Sequence, residues 1–294
     1  MQPLTVMICG RDAEASMAAT LDSVDWVDEV LVLLDAQTRD ATAAVVERYA
    51  ARWAEARAAG GSAPEVVLRH EPWRGFTGQK VYGATLARND WILVVDADEE
   101  VSPELRRDIE ALDAAAWDTL ALVFVRRRNW VMGRPVRAWW PDRQNRLWHR
   151  GRVRWGSEAL HDRREAEPHQ KRHLSGWLEH KRVGGGWSDY FSGRRMDERA
   201  GIVARQMHAR GKRVGLVGLW LRPAAAFFKF FVIKRGFLDG AFGLLIAQKA
   251  AMSVQLKYAA LWAAQHGHAP PEPELATQAE PPAQQPRQDT PAPG

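Results

Sequence analysis

Apolar residues in the first part of the chain fall into short, continuous runs: Leu4 to Cys9, Val30 to Leu34, Val66 to Leu68 and Trp91 to Val95. Runs of this length, rich in β-branched side chains and bounded by polar turns, predict strands covered on both faces, as in a parallel sheet packed between helices. Helical stretches separate them, from Gly10 to about Asp22, Thr42 to about Ala59 and about Gly78 to Ala87, the second stopped by Gly60-Gly61-Ser62. The segment His70 to Gly78 reads as a loop. Strand and helix in alternation predict a doubly wound α/β domain over roughly the first 110 residues.

The pattern then loosens. Ser102-Pro103-Glu104 reads as an N-cap, a proline at the first helical position and an acid on the helix dipole, opening a helix to about Leu112. Leu120 to Val125 predicts a further strand, Arg126 to Arg154 a region dense in Arg and Trp that reads either as a stacking surface for bases or sugars or as a loop-rich surface where Arg packs on Trp, Arg163 to Arg172 a solvated loop, and Leu174 to His180 a last strand. Asp189 to Arg213 predicts a basic helix. Val214 to Ile233 is largely apolar, but Arg222, Pro223 and Lys229 interrupt it, which argues against a clean membrane span. Four Phe beside Lys229, Lys234 and Arg235 predict a segment lying in a membrane interface; a core helix pair of a soluble domain is the alternative. A second helix follows, about Gly240 to Trp262, and from His266 onward the chain is Pro, Gln, Ala and Glu, a composition for disorder. The division expected is residues 1–188, 189–265 and a tail at 266–294.

Composition narrows the chemistry. With 294 residues the chain can bury a large core, and a net charge of +5 with a pI near 9.5 favours phosphate-rich partners. A single cysteine, Cys9, excludes a disulfide framework and a cysteine metal site, so a reducing compartment is expected. Met1 to Gly10 lacks a basic n-region, which predicts retention in the cytoplasm.

The run at Trp91 to Val95 stops in Asp96-Ala97-Asp98-Glu99-Glu100. Acids there stand at the carboxyl edge of the sheet, where open α/β folds bind ligands. Asp96 and Asp98 are two residues apart and in extended geometry point the same way, so that they can share a cation or a phosphate-bound metal. The rival reading is a strand running into an acidic helix start, which gives the same letters. Asp35, ending an independent strand on the same rim, goes beyond what capping requires.

Taken in order, the strand and turn ending at Asp35, Trp73-Arg74-Gly75-Phe76-Thr77-Gly78-Gln79-Lys80, the Asp96-Ala97-Asp98-Glu99 run, Trp140-Pro141-Asp142-Arg143, Leu160-His161-Asp162, Leu178-Glu179-His180, Gly236-Phe237-Leu238-Asp239-Gly240 and Lys257-Tyr258-Ala259-Ala260-Leu261-Trp262 resemble the family 2 inverting glycosyltransferases of GT-A fold. More narrowly the set is similar to lipopolysaccharide-core glycosyltransferases of the WaaE/KdtX type, over residues 4 to about 263. The resemblance implies a GT-A, Rossmann-like α/β fold with a mixed sheet and C-terminal amphipathic helices. It implies a nucleotide-sugar pocket with Asp12, Asp35 at the uracil or ribose, Lys80 at the diphosphate and Asp96 at ribose and metal. Asp98 would bind Mg²⁺ or Mn²⁺, with His180 a further metal or phosphate contact. Asp162 is the implied general base and Glu158 the alternative. The implied donor is a nucleotide sugar, UDP-glucose by subfamily, and the implied acceptor a lipopolysaccharide core or related lipid-linked sugar, met at the cytoplasmic face of the inner membrane without nucleic acid. Departures at Asp12-Ala13-Glu14, Ala36-Gln37-Thr38 and Tyr82 bear on donor selectivity more than on reaction class.

Two other classes fit parts of the sequence. A haloacid-dehalogenase-like phosphatase also ends an apolar strand in Asp-x-Asp, but there the motif strand leads the chain, whereas here two strand-helix units precede it. A basic membrane or nucleic-acid adaptor suits the charge but leaves acids clustered at strand ends without a purpose.

Overall fold

The computed structural model describes residues 2–155, 164–181 and 193–268. Strands β1 (Leu4–Gly10), β2 (Glu29–Asp35), β3 (Glu65–Glu71) and β4 (Trp91–Asp96) are parallel, in the spatial order β3-β2-β1-β4. Helices α1 (Glu14–Asp22), α2 (Thr42–Ala58) and α3 (Gly75–Leu86) connect them. The continuous apolar runs are explained by a two-sided burial that follows the period of the strand. Val6, Ile8, Val30, Val32, Leu93 and Val95 pack on one face with Met17, Leu21, Val46 and Trp53. Met7, Leu31, Leu33, Ile92 and Val94 pack on the other with Ala84 of α3 and Ala87 just beyond its end. Contact with α3 is close: a Cβ on Gly83 would stand 2.7 Å from Leu33 Cδ1 and from Met7 Sδ.

Beyond β4 the sheet becomes mixed, continuing β8-β6-β11-β5. The acidic run does not enter a helix directly: Glu99–Val101 forms a short strand, β5, paired antiparallel with the end of β11 (Lys171–Lys181). Ser102 then caps α4 (Pro103–Glu110), its Oγ accepting from Leu105 N at 3.2 Å, as the sequence implies. A short helix, α5 (Ala114–Thr119), precedes β6 (Leu122–Val131).

The Arg/Trp region is sheet rather than loop. β6 extends through Arg126, Arg127, Arg128 and Asn129, turns through β7 (Arg134–Pro135) and pairs antiparallel with β8 (Asp142–His149). Guanidinium groups in and beside it lie on indole rings, Arg128 at 5.1 Å from the Trp177 centroid and Arg164 at 4.8 Å from that of Trp148. Arginine here packs on tryptophan within the fold. β9 (Arg154–Trp155) and β10 (Arg164–Glu165) form a separate two-stranded ribbon where a solvated loop was expected.

Among the described residues three α-helices follow, α6 (Gly193–Ala209), α7 (Leu216–Phe228), continued by a π-helical turn at Lys229–Ile233, and α8 (Gly240–Gln265). Ala204, Val214 and Leu261 join them in a small core, and Phe242 and Ile246 of α8 pack on Val131 and Val136 beside β7. α7 buries no residue. The Pro-rich tail beyond residue 268 lies outside the described residues.

Candidate active site

Asp35 and Asp96 leave the sheet at the carboxyl ends of β2 and β4, on either side of β1. Cys9 is the register partner of both Asp96 and Leu33, and Asp35 lies two residues beyond Leu33. By the period of the strand both acids therefore belong to the face covered by α3. Lys80 of α3 is buried, and its charge acts on Asp96.

Asp12 and Asp35 meet through Arg11. Its guanidinium is 3.5 Å from Asp12 Oδ2 and 3.6 Å from Asp35 Oδ2, and it donates to Gln37 Oε1 at 3.1 Å. Asp12 has a left-handed backbone, φ 49°, and accepts from Arg39 N at 2.8 Å, while Asp35 Oδ1 accepts from Gln37 N at 2.9 Å. The loops after β1 and β2 are thus stitched into one wall.

Asp96 is gripped by Arg146 of β8. Nη1 donates to Oδ1 at 3.1 Å and Nη2 to Oδ2 at 2.6 Å; Nη2 also donates to Glu99 Oε1 at 2.7 Å, and Asp96 N to Glu99 Oε2 at 3.0 Å. Burial pushes the Asp96 carboxyl upward, but Arg146, then Lys80 and Arg127, more than reverse this and hold it far below the usual carboxylate range. Glu99, fully buried, is raised: burial outweighs the attraction of Arg146, and Asp96 adds repulsion.

Asp98 faces His180. Asp98 Oδ2 lies 3.2 Å from Nε2 of the imidazole, while Nδ1 on the other side is 2.7 Å from Asn129 Oδ1. Register explains the meeting: His180 of β11 is the partner of Asn129 in β6 and of Glu99 in β5, and Lys181 N donates to Asp98 O at 3.1 Å. Among the described residues no three His, Cys, Asp or Glu side chains are grouped to hold a metal by themselves. One carboxylate oxygen and one imidazole nitrogen nevertheless make a fitting partial set for Mg²⁺ or Mn²⁺, ions that complete their shells with phosphate and water. Asp162, His161 and Glu158 lie outside the described residues.

A family model described as glycosyl transferase family 2 matches residues 5–166, more than half of the chain. The chain belongs to glycosyltransferase family 2. The match runs from β1 through β10 and so contains Arg11, Asp35, Asp96, Asp98 and Arg146, but not His180. An uncharacterized glycosyltransferase of Rickettsia felis is 31% identical over 115 residues, 39% of this chain and 35% of that protein. A lipopolysaccharide core biosynthesis glycosyltransferase, LpsC of Rhizobium meliloti, is 30% identical over 168 residues, 54% of this chain and 56% of that protein. The matched stretch thus spans about a third of the Rickettsia relative and just over half of LpsC. Among solved structures, S. aureus TarS 1-349 aligns over 90% of this chain and 92% of its own, with a TM-score of 0.42 and 12% identity. Glucosyl-3-phosphoglycerate synthase of Mycobacterium tuberculosis, in complex with Mn²⁺, UDP-glucose and phosphoglyceric acid, aligns over 43% of this chain and 44% of its own, with a TM-score of 0.30 and 20% identity.

Membership of family 2 displaces the phosphatase and adaptor readings. The sequence reading of the family 2 domain gave no role to Arg11, Glu99, Asn129 or Arg146. The last two fall in a stretch read as loop, where no strand parity was assigned, yet Arg146 shares its parity with buried Trp148. That alternation, a charged residue on the inward side of an otherwise apolar strand end, was the available signal.

Proposed function

We propose that the chain is an inverting, metal-dependent glycosyltransferase that moves a sugar, glucose foremost, from a UDP-linked donor to a lipopolysaccharide inner-core or related lipid-linked acceptor. The observation that carries this reading is the Asp98 Oδ2 to His180 Nε2 pair, 3.2 Å apart beside the sheet edge that holds Asp96. Asp98 and His180 would hold Mg²⁺ or Mn²⁺, whose charge, when bound, offsets that of the departing diphosphate. Asp96, both oxygens committed to Arg146, is a fixed acceptor for ribose hydroxyls at the edge of the same site. Arg11 and Asp35 lie on the side of β2, where they would meet the nucleoside, and Lys80 adds positive charge from α3. Inversion needs a base on the far side of the anomeric carbon to take the acceptor proton as attack begins; Asp162 is the candidate and Glu158 the alternative.

A lipid-linked acceptor agrees with the C-terminal helices. Leu216–Ile233 and Gly236–Gln265 are long and apolar enough to cross a membrane by length and composition. Leu216, Val217, Trp220 and Leu221 are exposed on α7, with Trp220 81% accessible, and Arg222, Lys229, Lys234 and Arg235 are interspersed or follow. Apolar side chains flanked by cations suit a helix lying in the headgroup layer of an anionic membrane, peripheral on the cytoplasmic face.

Two substitutions test the assignment. Asp98→Ala should abolish sugar transfer and cation-dependent donor binding together, whereas Asp162→Asn should retain donor binding and lose transfer by 10²-fold or more, on the order expected for a general base. Transfer unchanged in either variant refutes that residue's role.

A further inference from the structure

The imidazole of His180 is held from behind by a chain of hydrogen bonds whose directions are all determined. Asp142 of β8 begins it. Burial pushes its carboxyl upward, but Arg127, Asn129 and Gln144 together lower it below its ordinary value, so at neutral pH it is ionised and can only accept. It accepts from Arg127 Nε at 2.8 Å, Gln144 Nε2 at 2.6 Å and Asn129 Nδ2 at 2.9 Å. The last of these orients the Asn129 amide: with Nδ2 donating to Asp142, Oδ1 is the atom that faces His180, 2.7 Å from Nδ1. A carbonyl oxygen accepts, so Nδ1 must carry a proton. In the neutral ring Nε2 is then a lone pair, and it faces the carboxylate of Asp98. An imidazolium in this place donates Nε2–H to Asp98 Oδ2, whereas the neutral ring offers a lone pair that, with the carboxylate, suits a cation. Neighbouring donors on one octahedral Mg²⁺ are about 3 Å apart, which the pair matches.

We propose that Asn129 and Asp142 are positioning residues that lock His180 as its Nδ1-protonated tautomer, so that Nε2 and Asp98 Oδ2 form a prearranged seat for the divalent ion. The proposal rests on the reading of Asp98 and His180 as ligands and deepens it. Register builds the device: Asn129 and His180 are partners across β6 and β11, and Arg127 and Asp142 across β6 and β8. Asn129 is 4% exposed, so water does not compete for its amide.

The test uses the full chain and reads Mn²⁺ binding rather than turnover. Free Mn²⁺ is followed by electron paramagnetic resonance at pH 7.5, with and without UDP, for the native chain, Asn129→Ala and Asp142→Asn. Loss of an outer-shell partner lowers metal affinity roughly 10- to 100-fold, and that loss is expected of both variants. Asp142→Asn is the sharper, because an amide there can turn the Asn129 amide around and present Nδ2 to the ring. The native chain, labelled with ¹⁵N-histidine and assigned by His180→Gln, needs no variant to fold: long-range ¹H–¹⁵N correlations should show His180 protonated at Nδ1 and bare at Nε2 when Mg²⁺ and UDP are present. Affinities within twofold of native in both variants overturn the positioning role while leaving the metal site in place; a ring protonated at Nε2 with Mg²⁺ bound overturns the positioning role and removes His180 from the ligand set. No Mn²⁺ binding by the native chain overturns the metal site and the positioning role with it.

Discussion

Arg146 is the residue on which the geometry of the rim depends most. Ile92 of β4 faces Trp148 of β8, so two residues further Arg146 comes level with Val94 and its guanidinium reaches Asp96. It is buried, as is Glu99, and it supplies the charge that both acids require. Removing one partner from a buried ionic cluster leaves charge without compensation, at about 3–5 kcal/mol. Arg146→Met, which keeps much of the volume, is expected to lose that much stability in urea denaturation, far more than the ~1 kcal/mol of a surface pair. A loss below about 1 kcal/mol would show that solvent, not Arg146, compensates Asp96 and Glu99. Sequence pattern pointed to Asp35, Asp96 and Asp98 because each ends or follows an apolar run. It did not point to their cationic partners, since Arg11 and Arg146 act across strands and loops far apart in the chain.

At the scale of elements, β1, β2 and β4 follow the hydrophobic pattern closely because their burial is two-sided and needs no knowledge of partners, whereas the stretch His70 to Gly78, read as a loop, is taken up in part by the end of β3 and the start of α3. Short runs with local signals were legible too, Ser102 capping α4 among them. Legibility falls where strands are held by pairing instead of by apolar content. β5, with Glu99 and Glu100, is a strand only because the end of β11 lies alongside it. β6 and β8 carry Arg127, Asn129, Asp142 and Gln144, polar residues that read as loop yet satisfy one another across the ladder. The same misreading concealed Asn129, whose role exists only once its strand is set beside His180. β11 itself bends at the shift between His173 and Trp177, where α4 presses so near that a Cβ on Gly176 would stand 2.2 Å from Leu105 Cα. Asp108 of α4 fastens that bend by accepting from Ser175 N and Gly176 N, each at 2.8 Å.

Across the whole molecule, the C-terminal helices are tied to the mixed sheet near the acidic rim. Lys234 Nζ donates to Trp140 O at 3.1 Å, two residues before Asp142, and Arg134 lies 4.8 Å over the ring of Phe242. A membrane-bound α7 would thus have a fixed relation to β7 and β8. Because Leu216 and Trp220 contribute nothing to the core, Leu216→Glu with Trp220→Glu should leave the fold intact and lower cosedimentation with anionic phospholipid vesicles by 10-fold or more, with little binding to zwitterionic vesicles in either form. Equal binding of the variant and the native chain would place the contact elsewhere.

The central claim is that the acidic rim holds a nucleotide sugar by way of a divalent ion, and thermal unfolding with UDP-glucose, with and without Mn²⁺, tests it most directly. At a donor concentration 100-fold above its Kd, mass action adds about 2.7 kcal/mol, a rise in Tm of several degrees. The account predicts that rise with Mn²⁺, none with a chelator, and none in Asp98→Ala under either condition. An equal rise with the chelator present, or no rise with any nucleotide sugar and Mn²⁺, would contradict it.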